Sequence, residues 1–302
     1  MSTTADETRR PAPRTHRTTA VPAQATAQRN RGEISRPSGK ISGTRTTEIR
    51  NGKKNSTSPA TRALDASGHG GCWLAKLGNL APNAVALDNM RPLSAALTDA
   101  GVATWNIEYR RLGNEGGGWP GTFRDVGNAA DFLRTLAPER RLDLTRVIAI
   151  GHSAGGHLAM WLAARPKLTN TSDLYVSNPL RLAGVVDLDG PADLKATIPL
   201  QQPVCGAPVV TDLLGGSPEE RPERYRDGSP IERLPLGVPQ AFFAGRMFAT
   251  HVAPYEAASK RAGDTVVTTV LPDATHFVFI DPQSEVWPQV VGSVRRLLSM
   301  RE

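Results

Sequence analysis

The chain has 302 residues, with 36 Lys and Arg against 29 Asp and Glu, for a net charge of +7. That length allows one large α/β domain with a well-buried core. No apolar run approaches the roughly 20 residues of a membrane span, no apolar secretory core opens the chain, and two cysteines, Cys72 and Cys205, are too few for a disulfide framework, so a reducing, cytoplasmic setting is expected.

The charge is concentrated at the start. Residues 1–60 hold 12 Lys and Arg against 4 Asp and Glu, and the remainder holds 24 against 25. The same stretch contains no Leu, Phe, Trp or Tyr. It cannot bury enough apolar surface to offset the cost of ordering, and a disordered basic tail is expected over 1–60. Such an arm attracts nucleic acid or acidic membrane by charge alone. It has no interleaved aromatic residue to stack on bases, so no specific nucleic-acid partner is expected. Its Arg, Thr and Ser resemble an organellar transit peptide, but without amphipathic periodicity.

From residue 61 to 302 the composition is globular. Thr61–Ser67 (TRALDAS) reads as a poor strand. The expectation is a sheet shortened on its N-terminal side, or a natural start that lies elsewhere. Strand and helix then alternate, which implies a mostly parallel sheet with helices on both faces. A helix is predicted over Met90–Ala100, stopped by Gly101, and a strand over Val102–Tyr109. Residues Gly113–Gly121 read as a loop. Phe123–Leu136 is amphipathic and ends at Pro138. Arg146–Ile150 is a strand, Gly156–Arg165 a helix and Ala183–Asp189 a strand. Residues 191–237, rich in Pro and Gly, form an irregular insertion with short helices, a candidate lid. Strands over Gln240–Gly245 and Thr265–Leu271 flank a helix at Tyr255–Ala262. In the last segment Val286, Val290, Val291, Val294, Leu297 and Leu298 share one helical face.

Gly151-His152-Ser153-Ala154-Gly155-Gly156 joins the apolar strand Val147–Ile150 to an alanine-rich helix. A serine between two glycines on a strand-to-helix turn is the nucleophile elbow of a serine hydrolase. Side chains at Gly151 or Gly155 would clash with neighbouring backbone, and the helix N-terminus faces developing negative charge. A serine hydroxyl needs a base. His276 lies after the last strand and before the C-terminal helix, so the chain order is serine first and histidine last. His152 reads as a support of the turn, and His157 as structural or pocket-lining. Ala154, directly after the serine, supplies one backbone donor to an oxyanion. Gly70 and Gly71, in His69-Gly70-Gly71-Cys72-Trp73, offer others, because consecutive glycines let backbone approach a substrate. Cys72 reads as a small loop residue rather than a nucleophile. Trp73 and Trp119 are candidates for an acyl or aryl pocket.

HGGCW at 69–73, EYRR at 108–111, GHSAGGHLA at 151–159 and HFVFIDP at 276–282 together resemble the α/β-hydrolase superfamily, and within it the esterase/lipase and kynurenine formamidase (arylformamidase) group with its HGGxW motif. The resemblance covers about residues 68–300. It implies Ser153 as nucleophile, His276 as base and Gly70, Gly71 and Ala154 as the oxyanion hole. It implies hydrolysis of a small carboxylic ester or aryl amide, formamides included, with no metal or organic cofactor.

The triad acid departs from the pattern. This group places an aspartate a few residues after the strand that here ends at Gly245, yet residues 246–254 contain no carboxylate. Glu256, next along, reads as a helix-start charge. The strand after the elbow helix carries Asp187 and Asp189 on one face. Asp189 lies at the C-terminal edge, where active sites of open α/β sheets form, and is preferred as acid ahead of Asp187. Asp193 reads as a turn or helix cap. A serine–histidine dyad helped by a carbonyl or water, and a catalytically impaired homologue that only binds ligand, stay open as alternatives.

Overall fold

The computed structural model describes residues 39–41, 62–77 and 87–299. The expectation for 1–60 otherwise lies outside the described residues. A seven-stranded sheet runs in the order β1-β3-β2-β4-β5-β6-β7. The strands are β1 (Gly39–Ile41), β2 (Arg62–Gly68), β3 (Ala103–Ile107), β4 (Leu142–His152), β5 (Gly184–Leu188), β6 (Gln240–Ala244) and β7 (Val266–Val270). β1 pairs antiparallel with β3, and every other pairing is parallel.

Two expectations at the N-terminal side are corrected. Gly39–Ile41 lies inside the stretch expected to be a disordered tail, yet it is an edge strand. The stretch read as a poor strand at 61–67 overlaps β2 (Arg62–Gly68), which sits inside the sheet between β3 and β4. Two flanking partners supply its backbone hydrogen bonds, and that tertiary context overrides poor intrinsic preference.

The sheet is buried on both faces, as parallel sheets are. On β4, Val147 and Ala149 point to one side, and Ile148 and Ile150 to the other. The first face carries α2 (Gly121–Arg140) and α3 (Ala154–Ala164). The second carries α1 (Arg91–Asp99) and α8 (Trp287–Ser299), which buries Val290, Val294, Leu297 and Leu298. α3 is apolar all round, and all eleven of its residues are buried. α2 continues past Pro138 for two residues and closes at Arg141, whose left-handed conformation lets its N–H bond the Ala137 carbonyl.

The insertion is more helical than expected. It holds α4 (Leu194–Cys205), α5 (Val209–Leu214) and α6 (Pro222–Gly228). α7 (Ala249–Arg261) starts well before Tyr255, which places Glu256 in mid-helix. Glu256 bonds Lys260 and Thr268, and the Lys260 ammonium lowers its carboxyl from the ordinary value. Cys72 and Cys205 are joined in a disulfide. This corrects the expectation that two cysteines are too few for disulfide bonding, and removes the ground for a reducing compartment. Among the described residues no helix is long and apolar enough to cross a membrane.

Candidate active site

Strand register brings the pieces together at the C-terminal edge of the sheet. Gly68 at the end of β2 pairs with Gly151 on β4, His152 with Leu188 on β5, and Leu188 with Phe243 on β6. Ser153 and Asp189 are therefore each one residue beyond a strand end. The Ser153 N–H donates to the Leu188 carbonyl (3.0 Å) and the Asp189 N–H to that of Phe243 (2.6 Å).

Ser153 has φ 55° and ψ −122°, a conformation that costs a non-glycine residue about 1–3 kcal/mol. Close packing of backbone imposes it. A Cβ on Gly151 would lie 2.0 Å from the Gly155 carbonyl oxygen, and a Cβ on Gly155 2.2 Å from that of Gly68. The bend is thus wedged between β2 and the first turn of α3. Ala154 opens α3, so its N–H has no partner within the helix. The N–H groups of Gly70, Gly71 and Cys72 likewise donate to no backbone or side-chain acceptor among the described residues. Two sets of free amides flank the serine.

The structure brings His276 and Asp189 together. Nδ1 of His276 donates to Oδ2 of Asp189 at 2.6 Å, and Oδ1 of Asp189 accepts the Gly245 N–H at 2.8 Å. Asp189 is buried, and its own positive φ of 54° turns the carboxylate off the strand line toward the histidine. Asp187 does not reach His276. Its Oδ1 accepts the Gly190 N–H, its Oδ2 has no partner, and burial pushes its carboxyl well above the usual carboxylate range. It sits beneath the elbow, where a Cβ on Gly156 would lie 2.5 Å from its Oδ1. Asp193 caps α4 by accepting the Lys195 and Ala196 N–H groups. Among the described residues no hydrogen bond joins Ser153 Oγ to His276, whose Nδ1 is taken by Asp189.

His152 stands between the serine turn and the histidine loop. Its Nε2–H donates to the His276 carbonyl at 2.9 Å, and the two rings lie 4.3 Å apart. Burial, helped by the neighbouring His276, pushes it down to about 3, so the ring is neutral. His157 is structural. Its Nε2–H donates to the Gly228 carbonyl, and burial brings it down to about 4.

The role of EYRR was not legible in the sequence. Glu108 Oε1 accepts from His69 Nε2 at 2.9 Å, and its Oε2 accepts the Leu87 N–H. Tyr109 stacks on the His69 ring (4.2 Å, 6°) and donates its hydroxyl to the His69 carbonyl. Burial alone would raise the Glu108 carboxyl, but His69, the Leu87 amide and Arg111 bring it down to about 2. Arg110 forms a two-pronged ion pair with Asp125 on α2. The strand end at β3 is thus a clamp on the first residue of the glycine loop.

An apolar cavity opens beside Ser153. The glycine loop supplies Trp73, α4 supplies Leu200 and Val204, the segment after β6 supplies Met247 and Phe248, and Pro191 completes the wall. Trp119 is not part of it; its indole N–H bonds Asp173, and its ring packs on Phe123. Among the described residues no three His, Cys, Asp or Glu side chains gather as a metal-binding set.

The model of the BD-FAE family matches residues 67–243, more than half of the chain. The chain belongs to the BD-FAE family. The BD-FAE match spans the glycine loop, Ser153 and Asp189 and ends before His276. No curated protein matches. Among solved structures, a truncated carbohydrate esterase from gut microbiota is 20% identical over 80% of this chain and 88% of its own, with a TM-score of 0.61. Esterase B from Lactobacillus rhamnosis is 19% identical over 79% and 75%, with a TM-score of 0.62. An esterase from Thermogutta terrifontis, solved with butyrate bound, is 19% identical over 78% and 82%, with a TM-score of 0.59. These likenesses establish the α/β-hydrolase fold for this BD-FAE member.

Proposed function

We propose that the protein is a serine hydrolase that cleaves small carboxylic esters through an acyl-enzyme on Ser153. The observation that carries this reading is the His276–Asp189 hydrogen bond at the sheet edge that also presents the Ser153 bend. Asp189 fixes the tautomer with the proton on Nδ1, which leaves Nε2 free to take the serine proton. Oγ attacks the ester carbonyl, and the oxyanion is met by the N–H groups of Gly70, Gly71 and Ala154. His276 returns the proton to the leaving alcohol. Water then attacks the acyl-enzyme with the same histidine as base, and carboxylate and free Ser153 result.

The cavity beside Ser153 favours a small acyl group. Trp73, Leu200, Val204 and Phe248 crowd it with apolar side chains. Aryl formamides and amides pass through the same tetrahedral intermediate and form the second substrate class. The solved neighbours described as esterases add support from likeness of fold. A purely ligand-binding role drew on the missing carboxylate after β6 and on the weak N-terminal strands; the Asp189 carboxylate at His276 Nδ1 favours catalysis over it.

A fluorophosphonate probe is the direct test. It should label the wild-type chain and not Ser153→Ala, and p-nitrophenyl acetate should be hydrolysed with the same dependence on Ser153. A folded wild-type chain that neither labels nor turns over short p-nitrophenyl esters or aryl formamides would refute the reading.

A further inference from the structure

The Cys72–Cys205 disulfide spans 133 residues of sequence and joins the middle of the glycine loop to the last residue of α4. Both cysteines line the cavity at Ser153. The bridge ties the stretch between the two anchors of the glycine loop to the C-terminal end of α4.

The glycine loop is clamped at His69 by Glu108 and Tyr109. At its far side, Trp73 and Ala75 exchange backbone bonds with Leu112. Between those anchors Gly71, Cys72 and Trp73 all have positive φ (108°, 54° and 56°), a conformation that non-glycine residues keep only when their surroundings impose it. The N–H groups of residues 70–72 are unpaired among the described residues. A segment whose donors are left open for a ligand gains no hold from them, and the covalent bond at Cys72 supplies it.

α4 has a similar weakness at its C-terminal end. It buries only Leu194 and Thr197 and contains Pro199 and Pro203, each of which removes one backbone hydrogen bond from the helix. Asp193 caps its start; at its end the left-handed Gly206 donates its N–H to the Gln202 carbonyl, Gln201 Oε1 accepts the Val210 N–H, and Cys205 is bonded to the glycine loop.

We infer that the Cys72–Cys205 bridge is a positioning element of the ester site, which holds the oxyanion loop and the acyl-selecting wall of α4 in register and makes turnover sensitive to dithiols. The inference rests on the ester-hydrolase reading of Ser153. In the opening step a dithiol thiolate attacks one sulfur of the bridge and the S–S bond breaks. The second thiolate of the reagent then displaces the mixed disulfide. The reagent is oxidised to its cyclic disulfide, and Cys72 and Cys205 are reduced to thiols, with two electrons and two protons passed to the protein. The loop residues then relax from positive φ and the free amides lose their common aim. The end of α4 moves off the cavity.

The test uses the full chain before and after dithiothreitol, with aliquots alkylated and weighed to count free thiols. With both thiols free, kcat for p-nitrophenyl acetate should fall at least tenfold, and kcat/KM for the butyrate relative to the acetate should rise several-fold. The double variant Cys72→Ser/Cys205→Ser should show the same low kcat and ignore dithiothreitol. Hydrogen exchange should quicken over residues 69–75 and 194–206 and stay unchanged over 147–164. Activity unchanged within twofold at full reduction would overturn the inference, as would two cysteines that alkylate in the native chain without reductant. If the double variant fails to fold, the reduced wild-type chain decides. If the oxidised chain hydrolyses no ester, the Ser153 reading fails on its own, and the exchange data alone then decide whether the bridge holds the two segments.

Discussion

At the scale of single residues the site depends on which way one carboxylate turns. Asp187 and Asp189 are both on β5 or its end and both buried. Only Asp189 has the positive φ that aims it at His276, and only Asp189 has both oxygens engaged, by His276 and by Gly245. Asp189→Asn keeps an oxygen for the Gly245 amide but turns an NH₂ toward Nδ1. The ring must then carry its proton on Nε2, where it cannot act as a base. We predict a folded variant whose kcat for p-nitrophenyl acetate falls by about 10⁴-fold with KM changed little, the size of effect that the equivalent change has in serine proteases. Glu256→Gln, the control at the other carboxylate considered, should stay within twofold. Steady-state kinetics on the two variants separates the assignments. The sequence narrowed the acid to a strand end, because catalytic groups of open α/β sheets gather there. It could not show the backbone turn that selects one of two aspartates, nor that Glu108 and Tyr109 hold the glycine loop through His69, because both depend on contacts between distant segments.

At the scale of elements, the patterns that depend on neighbours in sequence were legible. The apolar run of β4, the alanine-rich helix α3 and the apolar face of α8 appear as read, since residues near in sequence carry them. The errors lie elsewhere. β2 is a poor strand that two flanking partners recruit, which is tertiary context prevailing over local preference. α2 outruns Pro138 to a cap at Arg141 and α7 begins ahead of Tyr255, both at helix ends, where sequence signals are weakest. The disulfide is the extreme case, since nothing local predicts contact between residues 133 apart. Glycines give the sharpest element-level test. Gly151 and Gly155 occupy backbone crossings of β4, α3 and β2, and a methyl at Gly151 would overlap the Gly155 carbonyl. Gly292 is in the middle of α8 with nothing within 4 Å of its would-be Cβ. Gly151→Ala should therefore cost several kcal/mol, roughly the upper range for point substitutions, and yield little folded protein. Gly292→Ala should stabilise by about 0.5–1 kcal/mol, because alanine is the better helix former. Urea unfolding midpoints measure both, and equal effects would contradict the packing of the elbow.

For the whole molecule, the buried ionisable groups around the site set how the fold responds to acid. His152 and His157 are neutral in the folded chain, held down to about 3 and about 4 mainly by burial. In the unfolded chain both return to about 6.5. Between pH 6.5 and about 4 the unfolded state therefore binds more protons at these two positions. Their contribution to stability is present above pH 6.5 and is lost as pH falls through that window. Asp187 runs the other way. Its folded carboxyl is held well above its unfolded value of 3.8, so the folded state takes up a proton there first and gains stability as pH falls toward 3.8. Two histidines against one aspartate leave the sign with the histidines, so stability falls as pH drops from 6.5 toward 4.5. Glu108 adds to the loss only below pH 4.5, its unfolded value, because its folded carboxyl is held down to about 2. Urea midpoints across that range should fall with pH in the wild-type chain. His157→Gln removes one titrating histidine and should flatten the fall. Asp187→Asn removes the opposing group and should steepen it. Midpoints that do not change with pH, in the wild-type chain and in both variants, would mean that these groups titrate alike in the folded and unfolded chains, and that the polar groups beneath the elbow are not sealed from water.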